Sequence, residues 1–115
     1  MNILVRCSSG GAEEQLRSLA AWLDSDRVVR RSLRAELGNG SPAEPGHQGN
    51  GIDILALVLG SGFSAASLAT SIASWRSTRP RRPTLTVERP DGTVVHISGE
   101  SEEEAERLLR RVLGE

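Results

Sequence analysis

The sequence predicts an α+β fold, with a mixed or antiparallel sheet of about four strands in the order β-α-β-α-β-β-α, and three observations carry that prediction. First, two β-rich stretches flank Pro90-Asp-Gly92, where proline presets one turn position and glycine takes the left-handed one; a hairpin follows. Second, Ser101-Glu-Glu-Glu104 is a capping box opening an apolar stripe of Ala105, Leu108, Leu109, Val112 and Leu113. Third, twenty-two consecutive residues from Ile54 to Trp75 carry no formal charge in a chain that is 25% charged. That run reads as a long hydrophobic central helix over 52–76.

The elements follow in order. Ile3, Val5 and Cys7 alternate with Leu4, Arg6 and Ser8, the pattern of a first strand with one face inward. Ser8-Ser-Gly-Gly turns the chain, with Ser8 or Ser9 as N-cap. An amphipathic helix over 12–24 then buries Leu16, Leu19, Ala20 and Leu23, and Glu13 and Glu14 suit its positive end. Asp24-Ser-Asp26 breaks that helix. Alternation of Leu33, Ala35 and Leu37 with Ser32, Arg34 and Glu36 predicts a second strand over 31–37. Residues 38–51 hold five glycines and two prolines and read as a flexible connection. After the uncharged run, Pro80 and Pro83 stop the helix. In the last helix, Glu103 with Arg107 and Glu106 with Arg110 are spaced for i, i+4 pairs.

Length and composition narrow the function classes. A chain of 115 residues reads as one domain over 1–115, burying about two-thirds of its unfolded surface. All fourteen cations are arginine and the net charge is −1, so no global field draws the chain to nucleic acid. Three aromatics, Trp22, Phe63 and Trp75, are too few for a base-stacking platform. Cys7 stands alone, which excludes an internal disulfide and favours the cytoplasm.

The uncharged run supports three readings. As a buried helix it would pack through Ser61, Ala65, Ala69 and Ala73, whose four-residue spacing lets two backbones approach closely, within the protein or between copies. A second stripe, Ser64, Ser67, Ser71 and Ser74, lies on another face. As a single-pass or re-entrant membrane segment it would be roughly 33 Å long, enough for a hydrocarbon core of about 30 Å. The cluster Arg76, Arg79, Arg81 and Arg82 would then contact the membrane surface. Sheet topology opposes a span, since strands on both sides of the run would have to share one side of the bilayer. In the third reading Gly60-Ser-Gly62-Phe-Ser-Ala65 matches a dinucleotide-binding turn after a strand-like Ile52–Leu59. No acidic residue follows about twenty positions on to meet a ribose, and too few βα units remain.

Other chemistry is sparse. A cysteine phosphatase needs an arginine six residues after its cysteine, where this chain has Glu13. Cys7 therefore reads as a small apolar residue on the inward face of the strand. His47 and His96 show neither ligand spacing nor an orienting carboxylate and read as solvent-facing. No cofactor, metal or catalytic residue is expected.

Three segments taken together, Leu16-Arg-Ser-Leu-Ala-Ala-Trp-Leu-Asp24, Ile52–Arg76 and Leu85-Thr-Val-Glu-Arg-Pro-Asp-Gly-Thr93, resemble the effector-associated constant component family of bacteria over nearly the whole chain. The resemblance implies a small protein with a hydrophobic central helix followed by Trp-Arg, a hairpin and a terminal helix. It further implies a place in bacterial conflict systems, beside caspase-like or trypsin-like peptidase effectors and nucleotide-dependent regulators. The function expected is that of a non-enzymatic adaptor coupling such an effector to its regulator or to a membrane. It carries over no catalytic residues.

Overall fold

The computed structural model describes residues 2–7, 11–38, 53–80 and 82–114. Strand β1 (Asn2–Cys7) buries Ile3, Val5 and Cys7, as its alternation requires. Helix α1 (Ala12–Ser25) buries Leu16, Leu19 and Leu23. Its N-cap is not a serine but Gly11, at φ 81, which glycine adopts without the steric cost of a Cβ; Ser8 and Ser9 lie outside the described residues.

Asp26 starts a further turn rather than merely ending α1. Its carboxylate accepts from the backbone N–H groups of Val28 and Val29 at 3.1 and 3.3 Å, capping a one-turn helix α2 (Arg27–Arg30) that the sequence reading did not anticipate. Strand β2 (Leu33–Gly38) follows. The connection read over 38–51 lies outside the described residues beyond Gly38.

The central run is where the structure departs from expectation. Residues 52–76 do not form one long helix. Ile54–Leu59 is strand β3, Gly60 to Ser64 turn the chain, and α3 spans Ala65–Thr78. A six-residue Ile/Leu/Val-rich segment suits a central strand, paired on both edges and covered on its helix side. Gly60 and Gly62 then interrupt the run, and Ser64 restarts it as a helix by accepting from the Ser67 N–H at 3.1 Å. At fourteen residues α3 is too short to span, and no helix among the described residues is long and apolar enough to cross a membrane.

Strands β4 (Leu85–Glu88) and β5 (Val94–Ile97) form the predicted hairpin. Arg89 N–H donates to the Thr93 carbonyl at 2.8 Å, and Gly92 sits at φ 95. The Asp91 carboxylate accepts from the Thr93 N–H at 2.9 Å. Hydrogen bonds from Thr93, with Arg89 nearby, hold the Asp91 carboxyl below the usual carboxylate range. Helix α4 (Glu102–Val112) is capped by Ser101, which accepts from the Glu104 N–H, and Glu106 pairs with Arg110 at 3.2 Å.

Among the described residues the expected sheet of about four strands has five, in the order β2-β3-β1-β4-β5, and every pairing is antiparallel. Registers Ile3↔Leu57, Val5↔Leu55, Cys7↔Leu85 and Leu85↔Ile97 place one set of apolar side chains on a common face. These residues form one core with Leu16, Leu19 and Leu23 of α1, Leu68, Ile72 and Trp75 of α3, and Leu109 and Val112 of α4. The opposite face carries Arg6, Arg34, Glu36, Thr86, Glu88 and His96, with Arg6 and Glu88 paired at 3.4 Å. Because β1 pairs with both β3 and β4, the chain before and after α3 shares one sheet.

Candidate functional site

Helix α3 organises the polar interactions beneath the surface. Its face at Leu68, Ile72 and Arg76 advances four residues at a time, so Arg76 points inward with the apolar residues and is only 2% exposed. Its guanidinium donates from Nε to the Pro83 carbonyl at 3.0 Å, from Nη1 to the Glu100 carbonyl at 3.1 Å, and from Nη2 to the Ser98 carbonyl. Those carbonyls lie before β4 and after β5. Arg76 thus ties α3 to both ends of the hairpin. Burial lowers its pKa, the nearby Glu100 charge opposes that shift, and Arg82 adds to it; an arginine nevertheless stays protonated at neutral pH.

Two indoles join α1 to α3 in opposite directions. Trp75 of α3 donates to Ser18 Oγ of α1 at 3.1 Å, and Trp22 of α1 donates to Ser71 Oγ of α3 at 3.1 Å. Arg79 reinforces the first bond. Its Nε donates to Gln15 Oε1 at 2.9 Å, its Nη1 to Ser18 Oγ at 3.0 Å, and the guanidinium lies 5.8 Å from the Trp75 ring centroid.

The arginine cluster expected at a membrane surface is therefore divided. Arg76 has no free face, Arg79 is held by α1, Arg82 is exposed, and Arg81 lies outside the described residues. The small-residue set divides too. Ser61 belongs to the turn before α3, Ala65 is half-buried at its first position, and Ala69 and Ala73 are buried in the protein's own core.

On the other side of α3 lies a groove of about 550 Å³, open to solvent. Trp22 and Ser25 of α1, Asp26, and Val28 of α2 form one wall; Ala66, Ser67, Thr70, Ser71 and Ser74 form the other. Three of the four serines read as one stripe, Ser67, Ser71 and Ser74, thus line it, while Ser64 is the helix cap. Val28, 62% exposed, borders this groove. Nothing in the sequence analysis points to the groove, because it depends on α2. Recognising Asp26 as an N-cap before Val28-Val29 is the signal that could have found it.

The other candidates stay apart. Cys7 is buried on the helix-covered face, whereas His96 projects from the opposite face, where its Nδ1 meets Thr86 Oγ1 at 3.1 Å. His47 lies outside the described residues. Gly60-Ser-Gly62 does link a strand to a helix, but β3 is antiparallel to both neighbours, which is not the parallel βαβ unit that holds a dinucleotide. No group of three or more His, Cys, Asp or Glu suited to a metal ion occurs among the described residues.

No curated protein and no solved structure matches the chain. The family model described as Effector Associated Constant Component 1 matches residues 8–114, from just after β1 through α4. With the match covering nearly every element of the fold, the chain belongs to the Effector Associated Constant Component 1 family.

Proposed function

We propose that this protein is a non-enzymatic, cytoplasmic accessory component of a bacterial conflict system, coupling a peptidase-type effector to its regulator, and that the α1–α2–α3 groove receives the effector. Family membership supports association with an effector. The observation that carries the docking surface is Val28, exposed at the rim of a groove that also offers the Trp22 ring and several hydroxyls. An apolar anchor beside donors and acceptors suits a polypeptide segment, whose backbone needs hydrogen-bonding partners while its side chains need apolar contact. The separation of Cys7 from His96 by the thickness of the sheet supports the non-enzymatic part.

The test is co-expression of the tagged protein with each product of the genes flanking its own, for the wild type and for Val28→Glu. A peptidase-type product should co-elute with the wild type and be lost with Val28→Glu, while the variant's thermal midpoint stays unchanged because Val28 is exposed. Retention of the complex by Val28→Glu would place the contact elsewhere. Co-elution of no peptidase-type product would remove the coupling role.

A further inference from the structure

Strand β2 lies at the edge of the sheet, paired with β3 on one side. Among the described residues no strand pairs with its other side, and that side has a definite chemistry. The Gly60 N–H donates to the Ser32 carbonyl at 2.7 Å, and the β2–β3 register runs Leu33↔Leu59, Arg34↔Val58, Ala35↔Leu57. Alternation along an antiparallel ladder then turns the N–H and C=O groups of Arg34 and Glu36 toward β3, and those of Leu33, Ala35 and Leu37 away from it. Three residues therefore present donors and acceptors on the outer edge.

We propose that this edge is a homotypic interface, in which β2 pairs antiparallel with β2 of a second copy about a two-fold axis at Ala35, joining two five-stranded sheets into one. In that register Leu33 faces the second copy's Leu37, Ala35 faces its counterpart, and Leu37 faces the second copy's Leu33. All three are hydrogen-bonded pairs, so each outward N–H and C=O finds a partner. The intervening pairs set Arg34 against the second copy's Glu36, and Glu36 against its Arg34. These are non-hydrogen-bonded pairs, where facing side chains come closest.

Charge selects this register over its neighbours. Only pairings that keep Leu33, Ala35 and Leu37 bonded are open, so the axis moves in whole-residue steps through positions 34, 35 and 36. An axis at 34 sets Arg34 against Arg34, and one at 36 sets Glu36 against Glu36; like charges directly opposite destabilise a sheet. Only the axis at 35 gives opposite charges twice. In the single chain Arg34 and Glu36 pair along the strand at 3.2 Å, with side chains 74% and 57% exposed, so the rearrangement exchanges one exposed ion pair per chain for two across the axis. Edge strands that avoid self-pairing carry charges that repel their own copy, bulges or proline. This one carries two charges of opposite sign at positions that interchange under the axis.

The helix-side face fits as well. Leu33, Ala35 and Leu37 are only partly buried, although they pack against the core. Beside them a groove of about 360 Å³ opens between α1 and β2, lined by Ala20, Ala21 and Asp24 on one side and Leu33, Arg34 and Ala35 on the other, together with Arg30. Pairing about Ala35 brings the second copy's Leu37 opposite Leu33, next to this groove, and extends the apolar layer across the axis.

The test uses the full chain and three variants in sedimentation equilibrium, with circular dichroism to check folding. The wild type should be a dimer. Arg34→Glu leaves two acidic residues on the outer face of β2 and Glu36→Arg leaves two basic ones, so each variant alone should be monomeric at the same concentration. An equimolar mixture of the two should recover a dimer containing one chain of each, because every cross-axis pair is again opposite in sign. Ala35→Pro removes an N–H that points away from β3, so it should abolish the dimer while the sheet persists. A wild type that is monomeric at millimolar concentration, a dimer that survives Ala35→Pro with a native spectrum, or a charge-reversed mixture that stays monomeric each overturns the proposal.

Discussion

Helix α3 begins inside the uncharged stretch and ends just past it, beyond Arg76, and its two ends do opposite things. At its C-terminal end Trp75, Arg76 and Arg79 are held by Ser18, Gln15 and three backbone carbonyls, and this one turn locks α1, the hairpin and the start of α4 together. At its N-terminal end Ala66, Ser67 and Thr70 line a groove open to solvent, and Thr70 Oγ1 also donates to Glu106 Oε1 of α4 at 2.6 Å. The difference teaches where stability and interaction reside. Large side chains with many donors are placed where protein acceptors meet them, and small hydroxyl residues where a partner molecule can approach.

The sharpest way to break this comparison is at Arg76. Replacing it with Met keeps much of the volume but strands three carbonyls that a guanidinium satisfied, so Arg76→Met should destabilise the protein by about 3–5 kcal/mol in urea unfolding. Arg76→Lys should recover only a fraction, because an ammonium cannot present the planar fork that reaches three acceptors. Near-wild-type stability in Arg76→Met would show that the hairpin is held by apolar packing alone.

That role was only partly legible in the sequence. Read as the first of four arginines around two prolines, Arg76 resembled a surface charge; read by helical period, it continues Leu68 and Ile72 and belongs inside. The hairpin, the capping box and the alternation of β1 and β2 were readable because each is a local signal, set by turn chemistry or by side-chain period. The division of the central run was not. Charge, the cue that made residues 54–75 stand out, is uniform across β3 and α3, while the decisive marks were six apolar residues with few helix-specific features, followed by two glycines and a capping serine. A fully buried strand and a buried helix share that composition, and the two are separated by pairing on both edges, a tertiary property. The fifth strand among the described residues follows from that one division.

Ala69 tests the core between the two ends. It is fully buried, so Ala69→Leu must displace neighbours in a packed interior and should cost about 1–3 kcal/mol, measured as a lower thermal midpoint. An unchanged midpoint would mean that the layer beneath α3 has room the structure does not show.

A smaller effect is expected at Ser71, where the locked and open regions meet. Ser71 is buried yet lines the groove, and it accepts the Trp22 indole N–H. Ser71→Ala leaves that donor beside an open groove in which water can replace the hydroxyl, so the loss should be about 0.5–1.5 kcal/mol. Tryptophan emission should report it, shifting as the Trp22 environment changes, and a loss above 3 kcal/mol would place the bond among the locked interactions instead.

Ser67 should give the least change in stability and the most informative one in binding. Its backbone N–H serves the Ser64 cap, which a side-chain substitution leaves intact, and its hydroxyl faces the groove. Ser67→Ala should therefore shift unfolding by no more than about 0.5 kcal/mol, the range of ordinary surface changes. Ser67→Arg should be similarly mild for folding, since the side chain can extend into open space, but it fills the groove with a long charged group. Affinity for the co-eluting effector should then fall by at least tenfold in Ser67→Arg and stay within about threefold of wild type in Ser67→Ala, a separation of roughly 0.7 kcal/mol or more in binding free energy. Equal affinities for the two variants would mean that the open end of α3 is solvated surface, and the contrast between its ends would concern folding alone.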